Sequence, residues 1–175
     1  MTTPVPVSPD TKDILLNAER ILQTDPSSAL TEKQIHMIAV ASALAVKSQG
    51  VLDYIQSKLG DLSSDELTAV KGAVALMSMN NIYYRTLHLL SEKSYSKERA
   101  NLRMTLMQDP GCDKTDFELM SMAVSAINGC GMCLDAHEKT LRGSHSVSTG
   151  SILHTIKIGA VMNALAQIIA INSLS

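Results

Sequence analysis

The chain has 175 residues, 45% of them hydrophobic, with 15 basic against 17 acidic side chains and a formal net charge of −2. That length and the even spread of apolar residues lead us to expect a single domain over 12–175, behind a flexible Pro- and Thr-rich lead-in at 1–11. No Lys/Arg cluster is interleaved with aromatics, which argues against a nucleic-acid partner, and apolar runs at 35–46 and 158–171 are shorter than a bilayer span, which argues against a membrane.

With one Phe, four Tyr and no Trp, the interior must be filled by Ala, Leu, Ile, Val and ten Met, a mixture that suits closely approaching helices. The nine Gly and five Pro cluster between segments of helical periodicity, so the expected fold class is all-α. A first helix spans 12–23 and stops at Asp25-Pro26. Thr31-x-x-Gln34 and Ser63-x-x-Glu66 read as capping boxes that open helices at 32–47 and 65–79. Short helices at 51–58, 82–90 and 97–107 fill the gaps. Beyond Asp109-Pro110-Gly111, Thr115-x-x-Glu118 starts a helix that runs toward Asn128-Gly129. A cysteine-bearing helix at 130–141, a polar loop at 142–149 and a long helix at 151–171 complete the chain.

The two halves resemble each other. Ala41-Ser42-Ala43-Leu44 lines up with Val124-Ser125-Ala126-Ile127 at a separation of 83, and Lys71-Gly72-Ala73-Val74 with Ile158-Gly159-Ala160-Val161 at 87. A duplicated helical unit follows. The first offset sets Lys47 against Cys130 and Gly50 against Cys133, so only the second unit carries the thiol pair.

Cys130-Gly131-Met132-Cys133-Leu134-Asp135-Ala136-His137 is the chemical centre of the sequence. Positions three and four apart on a helix share a face, and Cα atoms three apart fall in the bridgeable range of about 4.4 to 6.8 Å, so Cys130 and Cys133 are placed to form a disulfide. His137, one turn beyond Cys133, is placed to take its proton, and the thiolate is the species that attacks peroxides and disulfides. Leu134 after Cys133 excludes haem attachment. Two thiols near a helix start make a redox pair a better reading than two small buried hydrophobes. Zinc is the competing use, with Cys112, Cys130, Cys133 and His137 as the ligand set, but there is no second Cys-x-x-Cys or His pair at ligand spacing.

From spacing alone Glu118 closes the Thr115 capping box, its other reading being a partner that fixes the His137 tautomer. His36, His88, His145 and His154 read as surface or packing residues, and Met104, Met107, Met120 and Met122 as core. Three Cys without an export signal fit a reducing cytoplasm.

Glu118-x11-Cys130-x2-Cys133-x3-His137 resembles the signature of the alkyl hydroperoxidase D family, in the carboxymuconolactone decarboxylase-like superfamily. Met79-Asn80-Asn81-Ile82-Tyr83-Tyr84-Arg85, Asn101-Leu102-Arg103-Met104, Asp109-Pro110-Gly111, Phe117-Glu118-Leu119 and the Ala123 to Cys130 stretch extend the likeness over most of the chain beyond Lys12. The resemblance implies an all-helical homotrimer with an antioxidant role. It would reduce organic hydroperoxides or a partner peroxiredoxin, taking electrons from the dihydrolipoyl group of a lipoylated carrier protein, with no cofactor bound to the chain itself. By position, Cys133 would be the peroxidatic thiol that passes through a sulfenic acid, and Cys130 the proton donor and resolving thiol. Glu118 and His137 would form the proton relay, which reverses the capping reading of Glu118. Many members carry His before the second Cys, whereas this chain has Met132, which passes no proton. A decarboxylase or isomerase of the wider superfamily and a non-enzymatic zinc-stabilised module are the alternatives; lactone chemistry has no use for a reversible disulfide, and the zinc content of the purified protein separates the module.

Overall fold

The computed structural model describes residues 11–173, so the lead-in expected at 1–11 lies outside the described residues except for Thr11. Among them the regular elements are all helical: α1 (Lys12–Ile21), α2 (Glu32–Ala45), α3 (Gln49–Leu59), α4 (Ser64–Leu89), α5 (Lys114–Ile127), α6 (Gly131–Gly143) and α7 (Thr149–Asn172). The fold is all-α.

Both expected capping boxes of the first half form. Thr31 Oγ1 accepts the Gln34 N–H while the Gln34 side chain takes the Thr31 N–H, and Ser63 and Glu66 exchange the same two bonds. The expected break after Met79 is absent, and α4 continues as one helix of 26 residues. Asn80 and Asn81 are weak helix formers, but both are buried there, and the Asn81 side chain is held by Ser125 and Asn128. Tertiary hydrogen bonds outweigh local propensity. The helix expected at 97–107 does not form either. Two short 3₁₀ turns, Ser94–Lys97 and Thr105–Met107, flank an irregular stretch in which Asn101 adopts φ +50°, a conformation no helix continues through.

The helices α2-α3-α4 and α5-α6-α7 repeat one another, and the structure sets the register one residue from the first sequence match and two from the second. The N-caps Thr31 and Asp113, the C-caps Val46 and Asn128, the positive-φ residues Lys47 and Gly129, and the next N-caps Ser48 and Cys130 each stand 82 positions apart. Ser48 is therefore opposite Cys130, and Val51 opposite Cys133. The N-caps of α4 and α7, Ser63 and Ser148, are 85 apart.

One contiguous apolar cluster draws on all seven helices. At its centre, residues 116–125 of α5 are buried without interruption, so this helix is covered by neighbours on every side. Fully buried side chains such as Ile38, Leu119 and Leu165 each stabilise the fold by about 1.5–3 kcal/mol. Helix α7 is long and apolar enough to cross a membrane by length and composition, but half of its most apolar window is buried against α1, α2, α3 and α5. It is a core helix.

Candidate active site

Cys130 begins α6 as its N-cap, with φ −92° and ψ 88°, and its sulfur accepts the Cys133 backbone N–H at 3.3 Å. Ser48 serves α3 in the same way, its hydroxyl accepting the Val51 N–H. A cysteine thus occupies the place of a capping serine, and Cys133 falls in the first turn of α6, where the helix dipole favours an anion. The turn before it needs Gly129 at φ +65°, a region L side chains enter at a cost. A polar network fastens this turn to α4. Asn81 Nδ2 donates to Ser125 Oγ at 2.9 Å, Asn128 Nδ2 donates to Asn81 Oδ1 at 3.0 Å, and the Arg85 guanidinium donates to the Asn128 carbonyl.

Cys130 and Cys133 are joined by a disulfide, their Cα atoms 5.3 Å apart. The two sulfurs are not equivalent. Cys130 is 0% exposed, whereas Cys133 is 7% exposed and lines a cavity of about 170 Å³ that it shares with His137. Met77, Asn80, Tyr84, Met107, Met132 and Ala136 form the rest of the wall, which is overwhelmingly apolar. Met107, expected in the core, is 37% exposed and belongs to this wall, and Met132 stands half-exposed beside Cys133.

Helix α5 supplies the carboxylate. Glu118 Oε2 lies 2.7 Å from His137 Nδ1, with both side chains buried. An ionised carboxylate only accepts, so Nδ1–H donates to it, and in the neutral ring the lone pair is on Nε2. His137 is one helical turn from Cys133 on α6. The arrangement brings a dithiol, an oriented imidazole and an apolar recess together.

Residues 95–173 match the carboxymuconolactone decarboxylase family. Over 158 residues, covering 90% of this chain and 89% of the other, the sequence is 47% identical to a Coxiella burnetii protein named alkyl hydroperoxide reductase AhpD. Proteins of the same name from Hyphomonas neptunium and Streptomyces griseus are 48% and 43% identical over 91% and 88% of this chain, and over 87% and 85% of their own. The chain belongs to the AhpD family.

The capping reading of Glu118 is corrected by the geometry. Asp113, not Thr115, is the N-cap of α5, its carboxylate accepting the N–H groups of Thr115 and Asp116, and hydrogen bonds from Thr115 hold that carboxyl below the ordinary carboxylate range. Thr115 Oγ1 instead lies 3.2 Å from His145 Nδ1, and Glu118 is free to face α6. The alternative zinc set is not assembled, since no group of three or more His, Cys, Asp or Glu is poised to hold a metal among the described residues. Cys112 lies apart, its thiol donating to the Asp113 carbonyl, and burial pushes its pKa up. His88 is exposed, and His154 is buried with Nε2 2.8 Å from the Ile21 carbonyl oxygen. His36 is partly buried and its pKa is lowered by desolvation.

Sequence reasoning assigns no role to Asn81, Arg85, Ser125 and Asn128, although all four lie in stretches that carry the family resemblance. Two of the network's bonds span 44 and 47 residues, which no local pattern reveals.

Proposed function

We propose that this AhpD-family protein is a dithiol peroxidase that reduces organic hydroperoxides at Cys133 and is returned to its dithiol by an external carrier. The observation that carries the reading is the Cys130–Cys133 disulfide placed with its more accessible sulfur on a cavity shared with a carboxylate-held histidine. His137 Nε2 takes the Cys133 proton. The thiolate then attacks the terminal peroxide oxygen, the O–O bond breaks, sulfur is oxidised to a sulfenic acid, and the departing alkoxide collects the proton from the imidazolium as an alcohol. Cys130 displaces water from the sulfenic acid and closes the disulfide. Its complete burial suits a resolving thiol that meets only its neighbour.

Reopening the disulfide takes two electrons and two protons from a dithiol, and we assign this to the dihydrolipoyl group of a lipoylated carrier protein. The apolar walls of the cavity suit its alkyl arm, and the reading needs no resident metal, flavin or nicotinamide. A partner peroxiredoxin as a further client, assembly as a homotrimer and a cytoplasmic setting that keeps the centre reducible belong to the same proposal.

A coupled assay with a lipoylated carrier, lipoamide dehydrogenase, NADH and an organic hydroperoxide tests it. Turnover should vanish in Cys133→Ser and fall about 10²- to 10⁴-fold in His137→Phe, the usual loss of a general base. Undiminished NADH consumption in Cys133→Ser would refute the mechanism.

A further inference from the structure

Asn80 sits one residue before the network's Asn81 on α4, and only 5% of it is exposed. Its Oδ1 is sealed from bulk solvent and accepts no hydrogen bond, while the residue lines the cavity of Cys133 and His137. Interiors rarely leave a carbonyl oxygen without a donor, because stripping it of water uncompensated is costly. The surrounding wall supplies none. Met77, Met107 and Met132 have no N–H or O–H on their side chains, the Tyr84 hydroxyl donates to Met104 Sδ, and His137 Nδ1 is committed to Glu118. A water or a ligand entering the recess that Asn80 lines would bring the donor this oxygen lacks.

We propose that Asn80 is the substrate-binding residue of this site, its Oδ1 accepting the terminal O–H of a compact organic hydroperoxide and so presenting that oxygen to Cys133. The assignment rests on the peroxidase reading above. When the thiolate attacks, an S–O bond forms, the O–O bond breaks and sulfur loses two electrons to the departing alkoxide. The hydroxyl keeps its hydrogen throughout. The same O–H that Asn80 holds in the hydroperoxide becomes the O–H of the Cys133 sulfenic acid, so one hydrogen bond spans the transfer. Selectivity follows: oxidants without an O–H donor, such as dialkyl peroxides and disulfides, gain nothing from Asn80.

The test compares two oxidants on the pre-reduced full chain, tert-butyl hydroperoxide with its O–H and dithiodipyridine without one, each read as the second-order rate of Cys130–Cys133 disulfide formation. In Asn80→Leu and Asn80→Ala the hydroperoxide rate should fall about tenfold, the usual worth of one such bond, and the dithiodipyridine rate should stay within about twofold of wild type. The melting temperature of Asn80→Leu should be no lower than wild type, since an orphaned polar atom is replaced by an apolar side chain of similar size. Equal slowing with both oxidants would reveal a structural role and overturn the assignment, as would no slowing with either. A wild-type protein that reacts with dithiodipyridine but not with hydroperoxide would instead overturn the peroxidase reading on which it stands.

Discussion

Cys130 carries two duties in one atom. Its sulfur caps α6 by accepting the Cys133 N–H, and the same sulfur is bonded to Cys133. Ser48 shows what the position requires structurally, since an oxygen there caps α3 in the first unit. Replacing Cys130 with Ser should therefore keep the fold and strengthen the cap, raising stability above the reduced wild type by up to about 1 kcal/mol, because Ser is among the best N-cap residues. It should also end disulfide formation, so that hydroperoxide leaves Cys133 as a sulfenic acid trapped by dimedone. Urea unfolding of the reduced proteins checks the first part and intact-mass analysis the second. A marked loss of stability would show that the sulfur is held for packing rather than capping. Much of the site is legible in the sequence at this scale, because Cys130, Cys133 and His137 lie within eight residues on neighbouring turns. Asn80 is not. Its importance lies in a hydrogen bond it lacks, and only three-dimensional burial exposes that.

Where α2 and α5 end, the chain turns through the same conformation with different residues. Gly129 holds φ +65° at no steric cost, whereas Lys47, its counterpart, holds φ +56° with a full side chain. Left-handed backbone costs an L residue about 1–2 kcal/mol, so Lys47→Gly should stabilise the protein by about 1 kcal/mol, less the extra freedom Gly gives the unfolded chain. Gly129→Ala should destabilise it by about the same amount, although open space surrounds the missing Cβ. Chemical denaturation of the two variants reads the contrast, and a loss of stability in Lys47→Gly would contradict it. The helices of the repeat were readable from periodicity and capping boxes because those signals are local. The continuity of α4 was not, since Asn80 and Asn81 resemble a break until Ser125 and Asn128 are brought alongside. Residues 97–107 mislead in the opposite sense. Leu102, Leu106 and Met107 supply apolar spacing, but all three remain exposed, Met107 on the cavity wall, rather than forming a packed helical face.

At the scale of the whole molecule, the duplication also explains how the halves are joined. Gln34 is the third residue of α2 and Asp116 the third of α5, 82 positions apart, and the two bond directly, Gln34 Nε2 donating to Asp116 Oδ1 at 2.8 Å. Contact between equivalent residues is what a two-fold relation produces, so this pair marks a pseudo-dyad between the units. The repeat is legible in the sequence, but the contact is not, because a match between segments says nothing of which of them touch. Asp116 is nearly buried and also accepts a hydrogen bond from Lys33 Nζ at 3.0 Å. Lys33 has a half-exposed side chain, so solvent screens that ion pair, while the Gln34 amide is fixed at its other end by the Thr31 N–H. Asp116→Ala should consequently lose about 1.5–3 kcal/mol, the range for hydrogen bonds to a charged group, whereas Lys33→Ala should lose under about 1 kcal/mol. A double-mutant cycle on the two positions, read by urea unfolding, separates the bonds. Because the apolar cluster runs through both units, Asp116→Ala should still unfold in one transition with an unchanged m-value. If Lys33→Ala proved the more damaging change, the ion pair rather than the bond between equivalent residues would be what holds the halves in register.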